Sequence, residues 1–370
     1  MGCPISWQPN ALEPVFYGIR DETARVRPRA LIARAASWRV LPRALATLAT
    51  LAVRRRFAIT SPIFGGHRCR VFFPSLEGSP FSAPTLEEEC GRYPLIVFVH
   101  GMCGEPDHYK KWEYLPAQLA RGGHVVVVPE LRQIAGGTDP QQADGDLSVL
   151  GEVITWIRTE SAYRAIVAPA PITGIVGHSY GGGLAARFVA TNPGAISAFA
   201  SMSGVSGVGI SHVAAAPIAK LFMWGSDQLM DAALVDMNPA PSSATWNAVS
   251  LPKHSAIFNE IGHWDYLPAG TTACDAQRGQ CGRTPALAAE LLMMFFGRYL
   301  TAPGAPNLLG QIGPRLIPPR LQNMALSQDQ QFFAGGYLYA FENLSIFDLG
   351  CQVRLAWDAG GGQAGTAMRP

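Results

Sequence analysis

The chain has 370 residues, 48% of them hydrophobic and 15% charged, which is material for one large domain with extensions. A formal net charge of +2 is too close to neutral for a nucleic-acid-binding surface, and the basic run near the N-terminus lacks regularly spaced aromatic residues for base stacking. Seven cysteines at irregular spacing exclude a disulfide framework, so reduced thiols and a cytoplasmic location are expected.

In chain order, residues 1–59 read as a basic, helical extension. Residues 23–76 hold no acidic side chain, while Arg25, Arg27, Arg29, Arg34, Arg39, Arg43, Arg54, Arg55 and Arg56 punctuate an Ala/Leu-rich stretch. Residues 30–53 are predicted as one or two helices with apolar and basic faces. Helices of this kind lie on anionic membrane surfaces, serve as organelle-targeting peptides, or dock on a neighbouring domain with their arginines in water. The segment begins too far from Met1 for a secretory signal, and it is too short and too charged to span a bilayer. Met1-Gly2-Cys3-Pro4-Ile5-Ser6 also fits the N-myristoylation pattern, with Cys3 available for a second acyl chain.

Residues 60–300 read as the catalytic domain. The apolar, β-rich run at 95–99 predicts a strand buried on both faces, and it leads into His100-Gly101-Met102-Cys103-Gly104. A glycine-bearing loop after such a strand frees a backbone N–H to face a substrate oxygen. Residues 124–128 predict a second strand, and 147–158 an amphipathic helix with Leu147, Leu150, Ile154 and Ile157 on one face. The strand-like run 172–176 then meets Gly177-His178-Ser179-Tyr180-Gly181, and the helix-like stretch 182–190 follows. A strand, a turn too sharp for all but small residues, and a helix place Ser179 at the apex, over a helix N-terminus that favours developing negative charge.

Further strands are predicted at 195–202, 220–224 and 255–260, and a last helix at 286–299. Alternating strands and helices imply a mostly parallel sheet wrapped by helices. Only about a dozen residues separate the strand at 195–202 from Pro217, too few for a lid domain. Gly225-Ser226-Asp227 ends one strand, and Asp227 is the candidate acid; Asp231 and Asp236 lie further on, away from the sheet edge. Ile261-Gly262-His263-Trp264 follows the next strand, and His263 is the candidate base. His178 should pack beneath the site, His254 lies at the wrong end of its strand, and His212 sits in a Gly/Ala-rich segment. No His/Cys/Asp cluster has metal-ligand spacing.

His100-Gly101-x-x-Gly104, Gly177-x-Ser179-x-Gly181, Gly225-Ser226-Asp227 and Gly262-His263, in that order, resemble the α/β-hydrolase superfamily over about residues 60–300. The resemblance implies an α/β fold with a mostly parallel central sheet flanked by helices, without a large cap domain. It implies an ester hydrolase (esterase or lipase type) in which Ser179 attacks an acyl carbon, His263 carries the proton and Asp227 orients His263. The backbone N–H groups of Met102 and Tyr180 would form the oxyanion hole, and neither metal nor organic cofactor is needed. The short connection places the chain near the cutinase-like, chlorophyllase-like and platelet-activating-factor-acetylhydrolase-like branches, whose open sites take apolar, bulky or polymeric esters. Trp224 and Trp264 are candidate pocket residues, with core packing the other reading of Trp224. The same residues would serve an acyltransferase, an amidase or a perhydrolase, and a non-catalytic scaffold tethered by its basic N-terminus is the alternative outside enzymes.

Residues 301–370 read as a Pro/Gly-rich linker (301–319) and a β-rich tail, with 332–357 forming a hairpin on the domain or a flap at the site mouth and the chain disordered from Gly360 onward. Cys274 and Cys281 flank a polar loop and could bridge in an oxidising compartment. The membrane reading of the N-terminus has a direct test: anionic liposomes should sediment the full chain but not residues 57–370, and equal sedimentation would rule it out.

Overall fold

The computed structural model describes residues 56–75, 92–105, 107–121, 123–131, 140–204, 207–225, 247–258, 261–272, 284–300, 353–358 and 364–368. The N-terminal extension before Arg56, the Met1–Ser6 pattern, Asp227 with its rivals Asp231 and Asp236, Cys274, Cys281 and the 301–319 linker lie outside them.

The chain opens with β1 (Arg56–Thr60), β2 (Ile63–Phe64) and β3 (His67–Ser75), of which β1 and β3 pair antiparallel and β3 pairs antiparallel with β5 (Val125–Pro129). β4 (Leu95–Val99), β5, β6 (Thr173–His178), β7 (Ala198–Met202), β8 (Ala219–Gly225) and β9 (Lys253–Phe258) form the parallel centre, in the spatial order β5-β4-β6-β7-β8-β9. These six strands are buried along their whole length, which is why β4 and β5 read as unbroken apolar runs and none of the six alternates.

Because side chains alternate across the sheet, one strand feeds two cores. Ile96, Phe98, Val126, Val176 and Leu221 face α1 (His108–Lys111), α2 (Tyr114–Arg121) and α6 (Thr284–Tyr299), through Tyr109, Leu115, Leu119, Leu291 and Phe295. Val97, Val99, Ile175, Phe199 and Phe222 face α3 (Pro140–Thr159), α4 (Tyr180–Thr191) and α5 (Gly207–Ala214), through Val153, Ile157, Leu184, Phe188, Ile210 and Val213. Helix α6 approaches β6 so closely that a Cβ on Gly174 would lie 2.6 Å from the Phe296 ring. Among the described residues, the connection from β7 to β8 holds the eight-residue helix α5.

Two differences from the sequence reading concern boundaries. Helix α3 begins at Pro140 rather than near 147, because its first turns are polar and carry no apolar stripe. The C-terminal residues read as disordered from Gly360 instead include a strand. β10 (Val353–Asp358) adds antiparallel to β9, and β11 (Ala364–Met368) pairs with β10 from Asp358↔Ala364 to Arg354↔Met368. A Gly-rich tail has no periodicity of its own; its strand partner is β10, which is itself laid on β9 from far back in the chain.

At the sheet end where β8 and β9 begin, the buried Lys220 Nζ donates to Ala216 O (2.6 Å), Ile218 O (2.8 Å), Ser250 O (3.1 Å) and Ser250 Oγ (2.8 Å). Burial, and then the nearby Lys253, lower its pKa to about 8. The ammonium pins the loop before β8 to the loop before β9. Lys220→Met removes every one of these donors and should cost about 1–3 kcal/mol, read as a lower urea midpoint. Labelling of Ser179 by a serine-reactive probe, at the opposite end of the strands, should stay within about twofold of wild type.

Candidate active site

The strand order reverses at β4: the chain moves outward to β5 and then returns to lay β6 on the other side of β4. The loops leaving β4 and β6 therefore diverge, and a crevice opens at their carboxyl ends. In register, Val99 pairs with Gly177, so the chain leaves the sheet at His100 and Gly101 beside His178 and Ser179. His178 pairs with Met202 on the other side, and the Ser179 N–H donates to the Met202 carbonyl at 3.0 Å.

Ser179 has φ 52° and ψ −125°, a region that non-glycine residues adopt at a cost of about 1–3 kcal/mol. What holds it there is steric. A Cβ on Gly177 would meet the Gly181 carbonyl oxygen at 2.2 Å, and one on Gly181 would meet the Val99 carbonyl oxygen at 2.2 Å. Gly204, just beyond β7, closes the other side: a Cβ there would lie 2.5 Å from Ser179 O and 2.8 Å from Ser179 N. Ser179 stands at the N-terminus of α4 but its side chain makes no capping hydrogen bond. The Tyr180 N–H opens the first turn of α4, where backbone donors have no carbonyl one turn back. The Tyr180 side chain points elsewhere, donating from its hydroxyl to the buried Asp146 of α3 at 2.9 Å. Burial first, then the Asp146 charge, raise the Tyr180 pKa, so the phenol stays protonated and keeps this bond.

The loop after β4 packs directly on the serine. A Cβ on Gly101 would lie 3.2 Å from Ser179 Cβ and 2.5 Å from His178 Nδ1. The His100 ring donates from Nδ1 to Gly101 O (2.9 Å) and accepts the Leu131 N–H at Nε2 (3.3 Å). Burial lowers its pKa to about 3, so it is neutral. Met102 follows, half-buried, and Gly104 supplies a turn at φ 68°. Glu105 anchors the loop: its carboxylate accepts from the Thr272 hydroxyl at 2.8 Å and pairs with Lys111 at 3.4 Å. Burial raises the Glu105 pKa, but the bonds from Thr272, Lys111 and His108 outweigh it and the net shift is downward.

His263 lies on the loop after β9, with its side chain buried. Its carbonyl accepts from His178 Nε2 at 2.7 Å, and the two rings are 4.8 Å apart. The preceding Gly262 N–H donates to the buried Asp265 carboxylate at 2.5 Å, while Asp265 N donates back to Gly262 O at 3.0 Å, which closes a tight turn around His263. Trp264, half-buried, stacks between His178 (4.8 Å) and His108 (5.5 Å).

Cys103, Glu105 and His108 are the described group whose ligand atoms lie within 4.8 Å of one another. They do not suit a metal. Cys103 is disulfide-bonded and has no thiolate to offer, and His108 Nε2 already accepts the Trp112 indole N–H at 3.2 Å, leaving the proton on Nδ1 beside Glu105. The disulfide at Cys103 departs from the expectation of reduced thiols, while Cys69 is free and buried. Pairing depends on which loops the fold brings together, and spacing carries no record of that.

Of the residues singled out in the sequence, Ser179, His263, Met102, Tyr180 and Trp264 come together at this sheet edge, and His178 packs beneath it as expected. β8 ends at Gly225, two positions before Asp227. Trp224 is buried in the core on the α3–α5 side, 6.5 Å from the Phe222 ring. Gly204, Asp146 and Asp265 were not legible as site residues; only for Asp265, two positions after His263, did the sequence offer a signal, as a short-range turn former.

A family model described as the alpha/beta hydrolase fold matches residues 94–242, which span the loop after β4 and the serine turn. Among solved structures, the chain is similar to a dienelactone hydrolase from Anabaena variabilis, at 17% identity and a TM-score of 0.46, over 67% of this chain and 100% of that one. No protein of curated function matches the sequence.

Gly204→Ala tests the packing around the serine. The added methyl would meet the Ser179 backbone and the Gly182 α-carbon behind it, so labelling of Ser179 by a fluorophosphonate should slow at least about tenfold. A variant that folds and labels at the wild-type rate would show that this approach does not hold the turn.

Proposed function

We propose that this chain, whose residues 94–242 match the alpha/beta hydrolase fold, is a hydrolase that cleaves carboxylic esters through an acyl-enzyme on Ser179. The observation that carries the reading is the strained Ser179 backbone, at φ 52°, held against Gly101 and Gly204 at the end of β6 with its hydroxyl free of any capping role. Proteins retain such strain where it presents a reacting group.

In this reading Ser179 Oγ attacks the acyl carbon while His263 takes the hydroxyl proton. The tetrahedral oxyanion lies between the N–H groups of Met102 and Tyr180, each donor worth about 3–4 kcal/mol of barrier. His263 returns the proton to the leaving alcohol, and water then repeats the sequence to release the acid. Asp227, just past β8, would hold the His263 tautomer. An open site for apolar or bulky acyl or alcohol groups is favoured by the short helix between β7 and β8 and by two half-buried apolar residues, Met102 on the loop after β4 and Trp264 against His178. No described helix is long and apolar enough to cross a membrane.

The test is a fluorophosphonate probe followed by peptide mapping, beside hydrolysis of p-nitrophenyl esters from acetate to palmitate. A single adduct on Ser179 is expected, lost in Ser179→Ala, with ester turnover falling by about three orders of magnitude or more in Ser179→Ala and His263→Ala. A folded wild type that forms no adduct and turns over no ester would sink the esterase reading and favour the scaffold alternative.

A further inference from the structure

The imidazole of His178 does more than fill space beneath the site. It is the last residue of β6, fixed in the ladder opposite Met202 and covalently adjacent to Ser179, and it is fully buried. Its ring is enclosed by Trp112 and Trp264 (4.8 Å each) and by Tyr266 (5.7 Å). Nδ1 faces Gly101 and has no hydrogen-bond partner, whereas Nε2 sits 2.7 Å from the His263 carbonyl oxygen, which can only accept. The ring therefore carries its one proton on Nε2 and donates it to the backbone of His263. Burial, and then the proximity of His263, push its pKa well down and keep it neutral.

We propose that His178 is the positioning residue for His263: its Nε2–H bond to the His263 carbonyl locks the base loop to the nucleophile turn, so that Ser179 and His263 are placed by one rigid imidazole. This rests on the reading of His263 as the base. Among the described residues the loop has further ties, Ser203 Oγ to Tyr266 OH at 3.2 Å, the Thr272 hydroxyl to Glu105 at 2.8 Å and the Gly262–Asp265 turn, but the first two reach it well after His263 and the third is internal to it. Of these bonds, the one from His178 joins the residue beside the serine to the backbone of the base itself. A displacement of about 1 Å in a reacting group costs on the order of 10²-fold in rate, so the bond acts on turnover rather than on substrate affinity.

Three substitutions separate the hydrogen bond from packing. His178→Gln keeps an N–H donor at the reach of Nε2, His178→Asn has a donor too short to reach the His263 carbonyl, and His178→Leu has none. With an ester that the wild type hydrolyses, Leu and Asn should lower kcat by about 10²-fold with KM within about twofold, and Gln should recover kcat to within about fivefold of wild type. Hydrogen exchange of the peptide covering residues 261–267, read on the same proteins, should speed up in Leu and Asn and stay near wild type in Gln. A folded Leu variant with wild-type kcat and exchange overturns the proposal. So does a folded Gln variant as impaired as Asn, because the donor would then be irrelevant. If the Leu variant does not fold, the Gln–Asn contrast decides alone. If the wild type cleaves no ester, the esterase reading fails while the exchange contrast still tests the link: equal exchange in Gln and Asn refutes it.

Discussion

The arrangement depends on the absence of side chains where β4, β6, α4 and the loop after β7 converge. Carbonyl oxygens of Val99, Gly181 and Ser179 come so near the α-carbons of Gly181, Gly177 and Gly204 that a methyl group at any of these positions would overlap backbone. Backbone cannot move aside as the end of a flexible side chain can, so the contacts permit hydrogen and nothing larger. That closeness forces Ser179 into its strained conformation and puts the N-terminus of α4 immediately behind the hydroxyl. The strain is sustained because three strands and a helix over-determine the turn. Relaxing it would mean prising α4 off a sheet that buries Leu184 and Phe188 beneath the helix.

Around this turn the polar groups are few and their protonation states are set by burial. His100 and His178 are both neutral, each with its proton directed to one carbonyl, and Trp112, Trp264 and Tyr266 exclude water from the space between them. A base at His263 would accept a proton here without facing a neighbouring imidazolium. The carboxylates close by are occupied otherwise: Asp265 in the turn that carries His263, Glu105 in bracing the loop after β4, Asp146 in holding the Tyr180 ring away from the crevice. Charge is used in this region to position backbone.

The scaffold separates stability from chemistry along the strands. At one end Lys220 ties the loops that lead into β8 and β9; at the other the loops leaving β4, β6, β7 and β9 converge on Ser179. The C-terminal hairpin extends the sheet past β9, so the strand that leads to His263 is an interior strand hydrogen-bonded on both sides. An interior strand frays less than an edge strand, which steadies the loop it carries.

Much of this was legible in the sequence because it is local. The central strands announce themselves as apolar runs, since a strand covered on both faces has no polar side to show. The serine turn announces itself because its geometry tolerates only glycine at fixed offsets, and the order of the motifs follows from the order of the strands. The tertiary structure alone decided the rest. Gly204 matters for a contact with Ser179 made across β7, and Asp146 for a tyrosine on another helix. Residues 364–368 form a strand because β10, docked on β9, leaves an edge to pair with. The proton of His178 sits on Nε2 only because folding brings the His263 carbonyl, 85 positions away, to 2.7 Å. Steric demands of neighbouring residues are written in sequence spacing; contacts between distant segments arise when the sheet assembles, and composition and periodicity carry no trace of them.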